Sequence, residues 1–378
     1  MPASRSIPLA LIEEGRRVMN ICNACRYCEG FCGVFPALER RLEFTEGDLN
    51  YLANLCHACG SCYDACQYAP PHEFALNFPR TLAEIRAASY RRYAWPDALA
   101  VLFRRNGLFV SLATAASVVL WLLAAAILAD PSALLAAHDS GEGGLYAVVP
   151  HEVMIRTFGA VALFATVAFI VGFVRFWRDT GESLAAFLNP NALWRAGLDI
   201  LRLKHLDGGG EGCMEPEQPP SLARRRFHHL AFYGFLLCFA ATLSGTLYHY
   251  ALGWKAPYPL FSLPVALGTV GGIGLLIGPA GLLWLKVRRD PVLSDPHHDG
   301  MDIGFIVLLL LSSLTGLLLL ALRDTAAMGL LLLAHLGVIT ALFLSMPYGK
   351  FVHGLYRSAA LVRYALERGR PAANIGGD

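Results

Sequence analysis

The chain has 378 residues, of which 55% are hydrophobic and only 16% charged, and its formal net charge is +2. Ordinary soluble domains carry ~25% charged residues, so most of this chain is expected in lipid or in a very apolar core. The near-neutral balance excludes the strongly basic footprint of a nucleic-acid-binding protein.

In chain order, residues 1–20 carry Glu13, Glu14, Arg16 and Arg17 without a long apolar run, unlike a signal peptide. Two cysteine runs follow. Cys22, Cys25, Cys28 and Cys32 form the first, and Cys56, Cys59, Cys62 and Cys66 the second; both read C-x2-C-x2-C-x3-C. Three thiolates at this spacing wrap one corner of an iron–sulfur cubane, and a fourth completes the site from further away. In two-cluster ferredoxins the last cysteine of each run serves the other cluster. The expected [4Fe–4S] ligand sets are therefore Cys22, Cys25, Cys28 and Cys66, and Cys56, Cys59, Cys62 and Cys32. Zinc usually spaces its cysteine pairs more widely, and disulfides need an oxidising compartment. The ferredoxin run ends in Cys-Pro, whereas Gly33 and Gln67 follow here.

This cluster domain is expected over residues 1–92, with residues 80–90 helical. Arg91, Arg92, Arg104 and Arg105 make a basic collar around Trp95-Pro96. Residues 107–129 and 157–174 read as membrane spans, so 93–177 forms a second unit. A long break, 178–227, holds an amphipathic stretch at 192–205 that could lie on the membrane surface. It also holds the glycine-rich run 208–213, read as a tight turn near the cluster domain rather than a phosphate loop. Four further spans are expected at 228–250, 263–285, 303–322 and 326–346, making 228–357 a membrane domain and 358–378 a tail. The span 263–285 is rich in glycine, and small faces of this kind let helices approach closely in lipid. Lys and Arg concentrate on the side that bears both termini. That bias places the termini and the cluster domain in the cytoplasm, with the chain a multi-pass protein of a bacterial inner membrane. The fold class is thus mainly α: a small ferredoxin-like two-cluster domain and a six-helix haem-b bundle.

Histidine placement carries the haem expectation. His57, His72, His138, His151, His297 and His298 read as polar loop or surface residues, and His205 is left unassigned. Asp295-Pro-His297-His298-Asp299 reads as a solvated turn rather than a metal site. Histidines within spans are costly and usually functional. His228 and His249 lie three heptads apart on one face. His335 and His353 are 18 residues apart and share a face if the helix continues through Pro347. Antiparallel packing would pair His249 with His335 and His228 with His353, with His229 as the alternative to His228. Each pair could hold a b-type haem, one or two in all. Candidate quinone contacts are Tyr248, Trp254, Lys255 and Tyr258 near one end and Tyr348 and Lys350 near the other. No nucleophile, acid–base pair or nucleotide fingerprint stands out, so no catalytic residue is assigned.

The two cysteine runs precede a six-span half carrying Arg224-Arg225-Arg226-Phe227-His228-His229, Tyr248-His249-Tyr250, Ala256-Pro257-Tyr258-Pro259 and Met346-Pro347-Tyr348-Gly349-Lys350-Phe351-Val352-His353. In this combination the chain resembles the tricarballylate (citrate) utilization protein B family. The resemblance implies an electron-transfer partner for a cytoplasmic FAD-dependent dehydrogenase that oxidises tricarballylate to cis-aconitate. Electrons would pass from reduced FAD through iron–sulfur and haem centres to membrane quinone. The membrane half is also similar to the haem-b subunit of respiratory nitrate reductase: His335 and His353 match its last-helix spacing, while His228 and His249 depart from that of its other helix. The same parts suit a heterodisulfide-reductase-like or sulfur-oxidising complex, or an iron–sulfur membrane anchor or sensor.

Overall fold

The computed structural model describes residues 6–128, 134–137, 144–215, 218–295 and 298–371. His138, His297 and the tail residues 372–378 lie outside the described residues. The chain is mainly α, and the strands among the described residues are one short antiparallel pair, Cys213–Glu215 and Gln218–Ser221.

The cysteine-rich part is built on α1 (Leu9–Cys25), α2 (Val34–Leu38), α3 (Glu46–Leu55), α4 (Ser61–Asp64) and α5 (Phe78–Tyr93). Local chemistry sets these limits. Arg26 adopts a left-handed φ of 54°, which ends α1 and turns the chain into the loop bearing Cys28 and Cys32. Thr45 and Asp48 cap α3 reciprocally, with the Asp48 N–H donating to Thr45 Oγ1 at 3.1 Å. Asn77 Oδ1 accepts from the Arg80 N–H, and Pro79 sits in the first turn of α5, where no N–H is needed. Met19, Leu38, Leu49, Leu52 and Leu55 are fully buried at the centre.

A helix from the chain's other end enters this core. Val352–Arg368 buries Tyr356, Ala359, Ala360, Leu361 and Val362 among the residues of α1–α5. The expected boundary at 357/358 therefore falls inside a helix, and 358–368 is a core element rather than a tail. Its charged residues are paired within this core. Glu367 accepts from Tyr51 Oη at 2.9 Å and pairs with Arg41, which also reaches Asp48 at 2.7 Å, and Arg363 reaches Asp48 at 3.3 Å.

Among the described residues six helices are long and apolar enough to cross a membrane: Asn106–Ile127, His151–Asp179, Ala223–Leu252, Leu263–Arg288, Asp299–Ala321 and Met328–Tyr348. We call them the first to sixth spanning helices. The second extends beyond the expected 157–174 because its polar ends find partners within the protein. Arg175 donates to the Ala94 carbonyl and to Asp97, and Asp179 accepts from Asn50 at 2.8 Å, Arg92 at 3.0 Å and Tyr93. Large apolar side chains such as Leu112, Leu163, Leu247, Val270 and Leu314 face outward, the band a bilayer would cover. The expected glycine face on the fourth helix meets the third. A Cβ on Gly278 would stand 2.5 Å from Ala231 N, and one on Gly271 2.8 Å from Cys238 N.

The sixth helix does not continue through Pro347. Its α-helix ends at Ser345, Met346–Tyr348 forms a 3-10 turn, Gly349 is extended, and the C-terminal helix starts at Val352. Proline lacks the N–H that an uninterrupted helix would use. Tyr348 Oη, donating to the Trp95 carbonyl at 2.8 Å, pins the turn. The condition that would put His335 and His353 on one helical face is not met. The amphipathic stretch ends its helix early, at Leu201, and packs Ala192 and Ala196 toward the C-terminal helix, leaving Trp194 exposed.

Candidate functional site

The end of α1 and the loop after it bring Cys22, Cys25 and Cys28 around one cavity, and Cys66 joins them from the second run. A second cavity is lined by Cys56, Cys59 and Cys62 with Cys32 from the first run; Cys62 borders both. The two runs therefore cross in space. No disulfide links any of the cysteines among the described residues. Burial, and then the neighbouring Cys66 and Cys25 thiols, push Cys28 up to about 12; burial and neighbouring thiols likewise raise Cys22, Cys32 and Cys62. Four such thiols ionise together only around strong positive charge. Among the described residues no three His, Cys, Asp or Glu side chains converge closely enough for a single metal ion. The thiols instead ring small cavities, the arrangement that a polynuclear cluster asks of its ligands.

The departures from Cys-Pro have a structural reason. The Gly33 N–H donates to His205 Nδ1 at 3.2 Å, a bond proline could not make. A Cβ on Gly33 would stand 3.0 Å from the Tyr364 ring and 3.1 Å from that of His205. His205 is buried, borders the second cavity, packs near His57 and has Nε2 3.7 Å from Asp199. Sequence reading left it unassigned, since its signal lies in a contact 172 residues away. After the second run, Gln67 Nε2 donates to Cys25 Sγ at 3.6 Å. The glycine-rich run forms a turn against the second site: Ser61 Oγ donates to the Gly212 carbonyl at 3.1 Å, and the Met214 N–H to that of Cys59 at 3.2 Å. Gly208 has φ +58°, and a Cβ there would stand 1.9 Å from Gly212 O.

A cavity of about 430 Å³ lies between the cysteine domain and the spanning helices. That size is typical of small-molecule and cofactor sites, ~300–1,000 Å³. Phe235, Leu282, Phe305 and Phe351 give it apolar walls, and His228 and His353 both line it. Their ring centroids are 6.1 Å apart at an interplanar angle of 79°. Two metal–imidazole bonds of ~2 Å plus two ring radii of ~1 Å span that separation. His353 Nδ1 donates to the Lys350 carbonyl, which leaves Nε2 with its lone pair. His229 does not line the cavity; it stacks on Tyr233 and faces the carbonyls of Leu201 and Arg202.

The other expected pair is not assembled. His249 stacks on His151, with ring centroids 4.0 Å apart, and touches Tyr146. His335 Nδ1 lies 2.9 Å from Thr315 Oγ1, with its ring over Gly316. Among the described residues no ring contact joins His249 to His335. His151, read as a surface residue, is thus a ring partner. Of the quinone candidates, Lys350 lines the large cavity and pairs with Asp302 at 2.7 Å, which also pairs with Lys286 at 3.1 Å. Tyr348 is buried with its hydroxyl held by Trp95. Tyr248, Trp254 and Tyr258 form an aromatic cluster away from that cavity, and Lys255 is exposed.

Residues 15–94 match the model of the citrate utilization protein B Fer4-like domain, and residues 102–374 match that of citrate utilization protein B. The chain is 53% identical over 367 residues to the citrate utilization protein B of Escherichia coli, covering 97% of this chain and 95% of that protein. No solved structure matches it. With both parts of its length matched in this way, the chain belongs to the citrate utilization protein B family.

Proposed function

We propose that the chain is a membrane-bound electron-transfer protein. It reoxidises the reduced FAD of a cytoplasmic dehydrogenase, of the tricarballylate type, and passes the electrons to membrane quinone. Cys22, Cys25, Cys28 and Cys66 would hold one [4Fe–4S] cluster, and Cys32, Cys56, Cys59 and Cys62 the other. His228 and His353 would be the axial ligands of a b-type haem. When bound, these groups supply one-electron chemistry between a two-electron flavin and a two-electron quinone.

The observation that carries this reading is the position of His57 and Ala58. Both line the second cysteine cavity and the large histidine cavity. The two sites therefore share a wall, made by one loop, and no long stretch of protein separates them. The chain's own groups suit the remaining tasks. His353 Nδ1–H is fixed on a carbonyl, which orients its ring. Lys350, at the polar rim, is pushed down to about 8 by burial against the pull of Asp302, so its Nζ can hold or release a proton near neutrality. Lys350 is the quinone-side group we favour. His249 and His335 do not face one another, and no second haem is assigned to them. The Lys and Arg bias supports a cytoplasmic cysteine domain.

The test is composition and transfer in anaerobically purified protein. Expected are roughly eight irons in clusters with as many sulfides per chain, a b-type reduced-minus-oxidised spectrum, and quinone-dependent reoxidation of both. A colourless protein without sulfide would remove the reading.

A further inference from the structure

The two cysteine sites differ in their electrostatic surroundings. Neither cysteine cavity has Lys or Arg in its own lining, and the arginines Arg86, Arg224, Arg289 and Arg357 line the large histidine cavity. The second cysteine site is held by these arginines through its backbone. The Cys56 carbonyl accepts from Arg86 Nη1 at 3.0 Å and from Arg357 Nη2 at 2.8 Å. Two residues on, the Ala58 carbonyl accepts from Arg224 Nη1 at 2.9 Å and Arg289 Nη2 at 3.0 Å.

Arg86 and Arg357 stand out within this group. Arg86 is 6% exposed and also donates to the Ala53 carbonyl at 3.1 Å. Arg357 adds a bond to the Asn54 carbonyl at 3.4 Å. No Asp or Glu pairs with either among the described residues. Burial and the nearby Arg86 push Arg357 down to about 10. Two adjacent, largely desolvated cations with only carbonyl partners are costly unless an anion stands close by. On the two-cluster reading, the cluster that Cys32, Cys56, Cys59 and Cys62 would hold supplies negative charge next to the Cys56 carbonyl that both arginines bind.

We infer that Arg86 and Arg357 are positioning residues that set the direction of electron flow, by making the second cysteine site, next to the histidine cavity, the higher-potential of the two. This inference rests on the two-cluster reading above. An added electron makes a cluster more negative, and fixed positive charge in a low-dielectric setting stabilises that added charge. Among the described residues no Arg or Lys side chain donates to a carbonyl of Cys22, Cys25, Cys28 or Cys66, whereas two bind that of Cys56, so an electron at the first site is held less tightly. One electron shared between the sites then rests on the membrane side.

The experiment is an EPR-monitored redox titration of the full-length holoprotein, with iron and sulfide content measured on each sample. Wild type is expected to show two midpoint potentials. Arg357→Gln should lower the higher one and leave the lower one in place at unchanged iron and sulfide. Arg357→Lys, which keeps the charge, should hold the higher potential near its wild-type value. Should Arg357→Gln lose its cluster, Arg357→Lys and Arg86→Lys carry the test, and a potential displaced in both despite full cluster content overturns the inference. Unmoved potentials in Arg357→Gln, or movement of the lower one alone, overturn it too. Wild-type protein without acid-labile sulfide would instead defeat the cluster reading itself.

Discussion

The two ends of the third spanning helix, marked by His228 and by His249, have opposite surroundings. At the end beside the cysteine domain, His228 faces His353 across a cavity with apolar walls and a cationic rim. At the far end, His249 leans on His151, while His335 turns to Thr315 on its neighbour. Two histidine pairs expected alike from the sequence thus become one apposed pair and one separated pair. The difference comes from what brings the partner histidine. His353 is delivered by a helix anchored in a second core, whereas His335 has only the packing of its own span.

The largest expected effect sets the two ends directly against each other. If His228 holds the proposed haem, His228→Ala should cut quinone reduction by at least ~100-fold, since losing a ligand exceeds the 10–100-fold cost of losing an outer-shell partner. His249→Ala should cut it by only a few-fold, and equal losses from both would erase the distinction. Next comes the anchoring of the C-terminal helix. Glu367→Gln unbalances the buried group of Arg41, Asp48 and Arg363, and should cost about 3 kcal/mol in thermal or detergent stability. At the far end, Glu152→Gln breaks the exposed pair with Arg156 and should change nothing measurable.

Helix contact gives the third contrast. Gly278→Leu should destabilise the pairing of the third and fourth helices by about 1–3 kcal/mol, because its Cβ meets the backbone of Ala231. Gly268→Leu, where a Cβ would lie 3.6 Å from that of Ala241, should be milder, and a larger loss there would reverse the reading. The smallest effect is at the α3 cap. Thr45→Ala should cost about 1 kcal/mol. Burial alone would raise the Asp48 carboxyl, but hydrogen bonds from Arg41 and Thr45 outweigh it and hold the group below its usual value. Its contribution is therefore present above pH ~4 and lost as pH falls further. Acid melts of Thr45→Ala that keep the wild-type slope would contradict this.

Much of the fold was legible because it rests on local signals. Six apolar runs gave six helices, and the glycines of the fourth gave its contact with the third. The spacing of the cysteine runs marked an iron–sulfur type of domain, in line with the Fer4-like match over residues 15–94. What failed to show was long-range. Nothing local in the sequence signalled that the chain beyond Pro347 enters the cysteine domain, so 358–378 reads as a tail. His205 carried no local motif, and its role at Gly33 depends on a fold-level approach. The stacking of His151 on His249 was hidden likewise, because period and composition say which residues share a face and not which neighbour they meet.

The most direct measurement is a pair of reduced-minus-oxidised spectra, on purified His353→Ala and His335→Ala at matched iron–sulfur content. Loss of the b-type bands in His353→Ala with their retention in His335→Ala is the expected result. Retention in His353→Ala, with loss in His335→Ala, would contradict the placement of the redox path at the end beside the cysteine domain.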